Sequence, residues 1–254
     1  MNVSTARTES LCYIDPRSAA AGESVQHDYS LEITDESAKN YLQWIADRVT
    51  PHLGSSVLEV GAGHGAVTAR VERGRHILAV DSSPPCLAAM QVRFAELENV
   101  RVELVDAKAA GAGEVFDSVL MVNVLEHIPD DVGVLSALRD RLRPGGKLVI
   151  YVPALDALYS QYDQKVGHQR RYTKARLAAV VRAAGFEITE QQFMNLVSLP
   201  AWFVFARLLK RDPAQGGGLS WWDRLAVPST RWVEERVRVP IGLNLFLVAQ
   251  RPGS

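Results

Sequence analysis

Cysteine is scarce in this chain: among 254 residues only Cys12 and Cys86 occur, far apart and outside any Cys-x-x-Cys pair. That excludes a disulfide framework or a cysteine-based zinc site, and fits a reducing compartment. Neither sign of charge is in excess, with 28 Lys plus Arg against 29 Asp plus Glu and a net charge of −1. No long-range field is available to hold a polyanion, so no nucleic-acid partner is expected. No run of about 18 or more apolar residues occurs, so no transmembrane segment is expected. Residues 1–20 lack a basic stretch followed by an apolar one, so no secretory signal is expected either. Repeats and low-complexity tracts are absent. What is present is a 47% apolar chain, long enough for one large α/β domain with a sizeable core, and expected to be cytoplasmic.

The first 34 residues are polar and poorly periodic, with Pro16 and Gly22 as breakers, and read as an arm. Thr34 resembles a helix cap, and Ala38, Tyr41, Leu42, Ile45 and Val49 then mark one helical face that ends by Pro51 and Gly54. From residue 56 short β-rich runs alternate with helical stretches. Expected strands 56–60, 76–80, 100–105, 116–122 and 147–152 end at Gly61, Asp81, Asp106, Asn123 and Pro153. A helix is expected from about Ala66 to Arg73 and another from Asp130 to Leu142. Near-continuous apolar strands separated by helices imply a doubly wound, mostly parallel sheet, with a ligand site beyond the strands' carboxyl ends. Later, a helix over 175–184, a strand over 186–193 and a last strand over 241–250 are expected. Residues 195–238 hold four of the five tryptophans (Trp202, Trp221, Trp222 and Trp232) and read as a helical insertion with its own small core.

Gly61-Ala62-Gly63-His64-Gly65 follows a strand and opens a helix. Glycines there permit positive φ and close approach of a ligand, whose negative part meets the helix N-terminus. The run also satisfies G-x-G-x-x-A, and Asp81 stands where a dinucleotide enzyme keeps its ribose-binding acid. A nicotinamide-dependent oxidoreductase is therefore one alternative, and a non-catalytic binding protein with the same fold is another.

Further motifs extend the pattern. Glu59 precedes the glycines, Asp106-Ala107 ends the third strand, Asn123-Val124-Leu-Glu-His127 follows the fourth, and Leu142-Arg-Pro-Gly-Gly146 leads into the fifth. This ordered set, over roughly residues 36–194 plus the last strand, resembles the class I S-adenosylmethionine-dependent methyltransferases. The resemblance implies a seven-stranded sheet whose last strand lies antiparallel beside the fifth. The catalytic domain would then span 35–194 plus 239–254. It further implies that Glu59 and Gly61, Ala62, Gly63 and Gly65 hold the methionine part of the donor. Asp81 with Ser82 would take the ribose, Asp106 with Ala107 the adenine, and Asn123 with Val124 would lie near the methionine part.

Methyl transfer from a sulfonium requires in-line placement, exclusion of water and, for a hydroxyl acceptor, removal of a proton. His127 lies just past the fourth strand and His168 in the segment 156–173, so both are candidate catalytic groups. Tyr159, Tyr162, Arg170 and Arg171 of that segment are candidate walls of the acceptor pocket. In the competing reading, Thr173 caps the next helix and Arg171-Tyr172 only pins the segment. No metal is expected, because Asn123 stands where a metal-dependent methyltransferase would need an acid. In the arm, Tyr29 is a candidate donor contact and His27 a candidate acceptor contact. The expected reaction is methylation of a small molecule, a secondary metabolite or sugar intermediate, with oxygen favoured over nitrogen. A homodimer contact through 195–238 is a further expectation, beside a pocket wall or a membrane-surface contact.

Overall fold

The computed structural model describes residues 38–204 and 218–253. Thr34, the expected arm with His27 and Tyr29, and residues 205–217 lie outside the described residues.

Seven strands form one sheet in the order β3-β2-β1-β4-β5-β7-β6. They are β1 (Ser56–Val60), β2 (His76–Asp81), β3 (Val100–Leu104), β4 (Phe116–Val122), β5 (Leu142–Pro153), β6 (Glu187–Met194) and β7 (Asn244–Gln250). β1 to β5 pair in parallel, while β7 pairs antiparallel with both β5 and β6. The mostly parallel sheet is as the sequence suggested, and its reversed last strand is as the family resemblance implied. Along β5 the side chains alternate between faces, as a strand's period of two requires. Leu148, Ile150 and Val152 enter one apolar cluster, and Val149 and Tyr151 the other. The first cluster is closed by α4 (Asp131–Arg139) and α6 (Lys174–Ala183). The second is closed by α1 (Lys39–Val49), α2 (Thr68–Val71) and α3 (Pro84–Arg93). Both faces are covered, which is why the central strands are mostly apolar on both sides.

Three expectations change. The helix foreseen from Ala66 is reduced to the four residues of α2, because Gly61, Gly63 and Gly65 all have positive φ and the chain turns until Val67. β5 begins at Leu142, where a helix end was expected, since that residue already pairs with Phe116. The tryptophan-rich segment, in its described part, shares the main core. Val227 of α8 (Gly218–Glu234) is buried in the same cluster as α1, and the Trp222 ring lies 5.6 Å from that of Tyr41. Electrostatics explains the docking: α1 has no cap of its own, and Asp223 accepts from the backbone N–H groups of Asn40 (2.9 Å) and Tyr41 (2.8 Å). A helix N-terminus leaves such donors unpaired, so a carboxylate from another helix serves as the cap.

Candidate active site

At the end of β1 the three glycines take left-handed backbone, with φ of +68°, +56° and +72° for Gly61, Gly63 and Gly65. A Cβ on Gly61 would stand 2.4 Å from Val124, and one on Gly65 would stand 2.4 Å from the Phe94 ring. Packing therefore excludes a side chain at both. Gly63 differs, since nothing lies within 4 Å of where its Cβ would be. The loop is thus closed against the protein at its ends and open in the middle, as a cradle for a ligand requires. Asp81 ties it to β2, accepting from the N–H of Gly63 (2.9 Å) and of Ser83 (2.9 Å), with Ser82 exposed between. Ala62 N–H donates to Val80 O at 3.0 Å.

The register of β1, β2 and β3 brings Gly61, Asp81 and Asp106 to one edge. Asp106 is exposed and accepts from Lys108 N–H at 2.9 Å, with Ala107 half-buried beside it. Asn123 completes the edge with φ +53°, which asparagine tolerates better than most residues, and its N–H donates to Tyr151 O at 2.7 Å. Glu59 is placed differently. It is 2% exposed and accepts from Thr68 Oγ1 at 2.7 Å, so its carboxyl braces α2, and burial pushes its pKa up to about 7.

Beyond β4 a single 3-10 turn, Leu125–His127, carries two ionisable groups inward. Glu126 is fully buried, and neither carboxyl oxygen has a well-formed hydrogen bond among the described residues. Burial, only partly offset by its own N–H and by Arg171, pushes its pKa up to about 8. The His127 ring stands edge-on to that of His168, with centroids 4.7 Å apart. Burial, reinforced by His168, pushes His127 down to about 4.

His168 follows α5 (Gln161–Lys165) and is held from behind. Its Nδ1 lies 2.8 Å from Asp163 Oδ1, and its carbonyl accepts from the Tyr159 hydroxyl at 2.7 Å. Asp163 also accepts from Arg171 Nε (2.8 Å) and from the N–H and hydroxyl of Ser160 (2.9 and 3.0 Å). Burial alone would raise the Asp163 pKa, but His168 and Arg171 hold it below the usual carboxylate range. With Nδ1 committed, Nε2 of His168 turns to the interior, 3.9 Å from Glu126 Oε1. The segment is pinned to the turn by Gln169 N–H, which donates to Glu126 O at 2.8 Å.

The other expected pocket residues form the wall around this cluster. Arg171 is 2% exposed and lies over the Trp202 ring of α7 (Ser198–Trp202), against which Tyr162 also packs. Arg170 pairs with Asp131 at 2.7 Å and donates to Pro129 O at 3.0 Å. Both guanidiniums therefore have protein partners. Two residues went unassigned at the sequence level, Glu126 and Asp163. A signal for the second was present: Ser160-x-x-Asp163 has capping-box spacing. A separate cleft of about 450 Å³ lies against the far edge strand β6, lined by Trp44, Arg48, Glu190 and Arg236 among others, away from these strand ends.

A glycine cradle after β1, acids at successive strand ends and a seventh strand reversed beside β5 define the class I S-adenosylmethionine-dependent methyltransferase architecture. The family described as "Methyltransferase domain" matches residues 31–191, and the chain belongs to it. The nicotinamide-oxidoreductase alternative gives way to that membership. Among curated proteins, the chain is similar to a ubiquinone biosynthesis O-methyltransferase of Xanthomonas axonopodis pv. citri (strain 306). They are 30% identical over 166 residues, 59% of this chain and 69% of the relative. The protein of the same name from Aeromonas salmonicida (strain A449) is 28% identical over 62% of this chain and 74% of its own length. In that of Xylella fastidiosa (strain 9a5c) the match spans only 46% of its length. Among solved structures, the N-methyltransferase NodS of Bradyrhizobium japonicum WM9, in complex with S-adenosyl-L-homocysteine, has a TM-score of 0.55. It is 15% identical over 84% of this chain and 86% of that one. The [4+2]-cyclase SpnF has a TM-score of 0.58 and is 19% identical over 84% of this chain and 82% of that one. These likenesses show the fold. Among the described residues no helix is long and apolar enough to cross a membrane.

Proposed function

We propose that this protein methylates a hydroxyl group of a small molecule with S-adenosylmethionine as donor. The donor supplies an electrophilic methyl whose leaving group is a neutral thioether. Gly63, open on one side, with Asp81 and Asp106 at the neighbouring strand ends, would hold its methionine, ribose and adenine parts in turn. The acids suit hydroxyl and amine donors, since an ionised carboxylate only accepts.

The observation that carries oxygen as the acceptor atom is the cluster of buried Glu126 with half-buried His127 and His168 past β4. A neutral amine attacks with its own lone pair, whereas a hydroxyl must lose a proton, so a set of proton-accepting groups at the acceptor end suits the second. Asp163 fixes the His168 tautomer and leaves Nε2 facing the cluster. Tyr159, Tyr162 and Trp202 provide an enclosed, partly aromatic wall that suits a small ring. The names of the O-methyltransferase relatives favour the same atom. The test is incubation with donor and a panel of phenols, catechols, sugars and amines, read by mass spectrometry. A methyl ether together with S-adenosylhomocysteine supports the proposal; exclusive N-methylation, or no transfer to any hydroxyl, overturns it.

A further inference from the structure

We propose that Glu126, His127 and His168 form a binding site for one divalent transition-metal cation of the zinc, manganese or cobalt kind. The ligand atoms these residues offer, one from each, all lie within 4.8 Å of one another. Ligands at about 2.0–2.2 Å from a tetrahedral ion stand roughly 3.3–3.6 Å apart, so the side chains must close by about an ångström to seat a cation.

Three features separate this cluster from a chance meeting of polar groups. First, Glu126 is fully buried and both carboxyl oxygens lack well-formed hydrogen bonds, whereas the other buried carboxyl groups among the described residues, Glu59, Asp163 and Asp223, are bonded. A buried unsatisfied carboxyl is costly and calls for a partner. Second, His168 has one ring nitrogen committed to the protein, its Nδ1 standing 2.8 Å from Asp163. Metal-binding imidazoles are ordinarily held in this way, one nitrogen on an acceptor and the other free for the ion. Third, the supports are rigid, since Asp163 is locked by Ser160 and Arg171, and Tyr159 fixes the His168 backbone.

Two imidazoles and one carboxylate favour borderline transition ions over magnesium or calcium, and three protein ligands leave coordination positions open. Those positions suit the oxygen of the acceptor, or two adjacent oxygens. With the ion bound, Glu126 and the two imidazoles serve as its ligands rather than as proton acceptors: a hydroxyl on the ion releases its proton to water and attacks as the alkoxide, and the methyl–sulfur bond breaks as the methyl–oxygen bond forms, leaving the neutral thioether. This role rests on the O-methylation proposed above, but the binding of the ion does not. The expectation of no metal arose from Asn123 at the end of β4. The fold instead delivers the third ligand, His168, from the segment after β5.

The test is titration of chelator-treated, tag-free protein with Co²⁺, Zn²⁺, Mn²⁺ and Mg²⁺, followed by calorimetry and by the visible spectrum of Co²⁺. Wild type is expected to take up about one transition ion per chain, with Mg²⁺ at least tenfold weaker, as a nitrogen-rich site implies. Glu126→Gln and His168→Ala should each abolish the cobalt spectrum, and Asp163→Asn should weaken binding by about 10- to 100-fold. S-adenosylhomocysteine affinity, measured on the same samples, shows that each variant is folded. Absence of stoichiometric uptake, or uptake unchanged in both Glu126→Gln and His168→Ala, overturns the site. Donor binding and O-methylation without metal uptake would leave the proposed function standing and remove this inference. Metal uptake without methyl transfer to oxygen would do the reverse.

Discussion

Between Gly61 and Asp106 the groups offered to a ligand are main-chain atoms and strand-end acids, set in place by positive φ at three glycines. Between Leu125 and Tyr172 they are ionisable side chains, buried (Glu126, Asp163, Arg171) or half-buried (His127, His168) and oriented by one another. The donor half is therefore preorganised by backbone geometry and the acceptor half by buried electrostatics. Each has its own way of failing: the first through sterics, the second through loss of a partner.

Substitutions that strike each half should separate these modes, beginning with the largest effect. Asp163→Ala leaves Arg171 buried without its partner and His168 without its orienting bond. Breaking such a pair costs about 3–5 kcal/mol, so chemical denaturation should show a loss of that size; a change under about 1 kcal/mol would mean that the pair is solvated like a surface one. The donor half should respond to pH through Glu59. Burial raises its pKa from 4.5 to about 7, so between those values the folded chain keeps a proton that the unfolded chain has released. The associated stability is fully present below pH 4.5 and is lost as pH rises through 7, a fall of about 3 kcal/mol. Glu59→Gln should remove that part of the fall, leaving the part due to Glu126, whose pKa of about 8 extends it upward. An unchanged slope in thermal melts from pH 5 to 8 would contradict the assignment.

Smaller effects distinguish glycines within one loop. Gly61→Ala meets both positive φ and the Val124 side chain, and should cost about 2–4 kcal/mol. Gly63→Ala meets only the backbone penalty, about 1–2 kcal/mol, yet should weaken donor binding because its Cβ would enter the open side. Equal stability losses in the two variants would show that the cradle is not shaped as described. Asp223→Ala, far from either half, should cost about 1 kcal/mol by uncapping α1, with no change in donor affinity.

The contrast also explains what the sequence made legible. Gly61, Gly63 and Gly65 are contiguous, and Asp81, Asp106 and Asn123 each end an apolar run, so the donor half and the sheet could be read directly. β7 was placed through the resemblance, since no local pattern announces that a strand will enter the sheet in reverse. Glu126 lay inside a recognised motif, but nothing local shows that a glutamate will be buried without donors. His168 was visible as a candidate, whereas its approach to Glu126 depends on how the segment after β5 folds back onto the turn after β4. The capping of α1 by Asp223 is still less legible, because the two positions are 183 residues apart. Main-chain sites are written in consecutive residues; clusters of side chains from separate elements are written only in the fold.

The most direct test of this division is a calorimetric titration of wild type, Asp81→Ala and His168→Ala with S-adenosylhomocysteine. Wild type and His168→Ala should bind alike, while Asp81→Ala, deprived of a charged hydrogen-bond acceptor, should bind about 10- to 100-fold more weakly. Absence of binding to wild type, or a loss in His168→Ala with none in Asp81→Ala, would contradict the account.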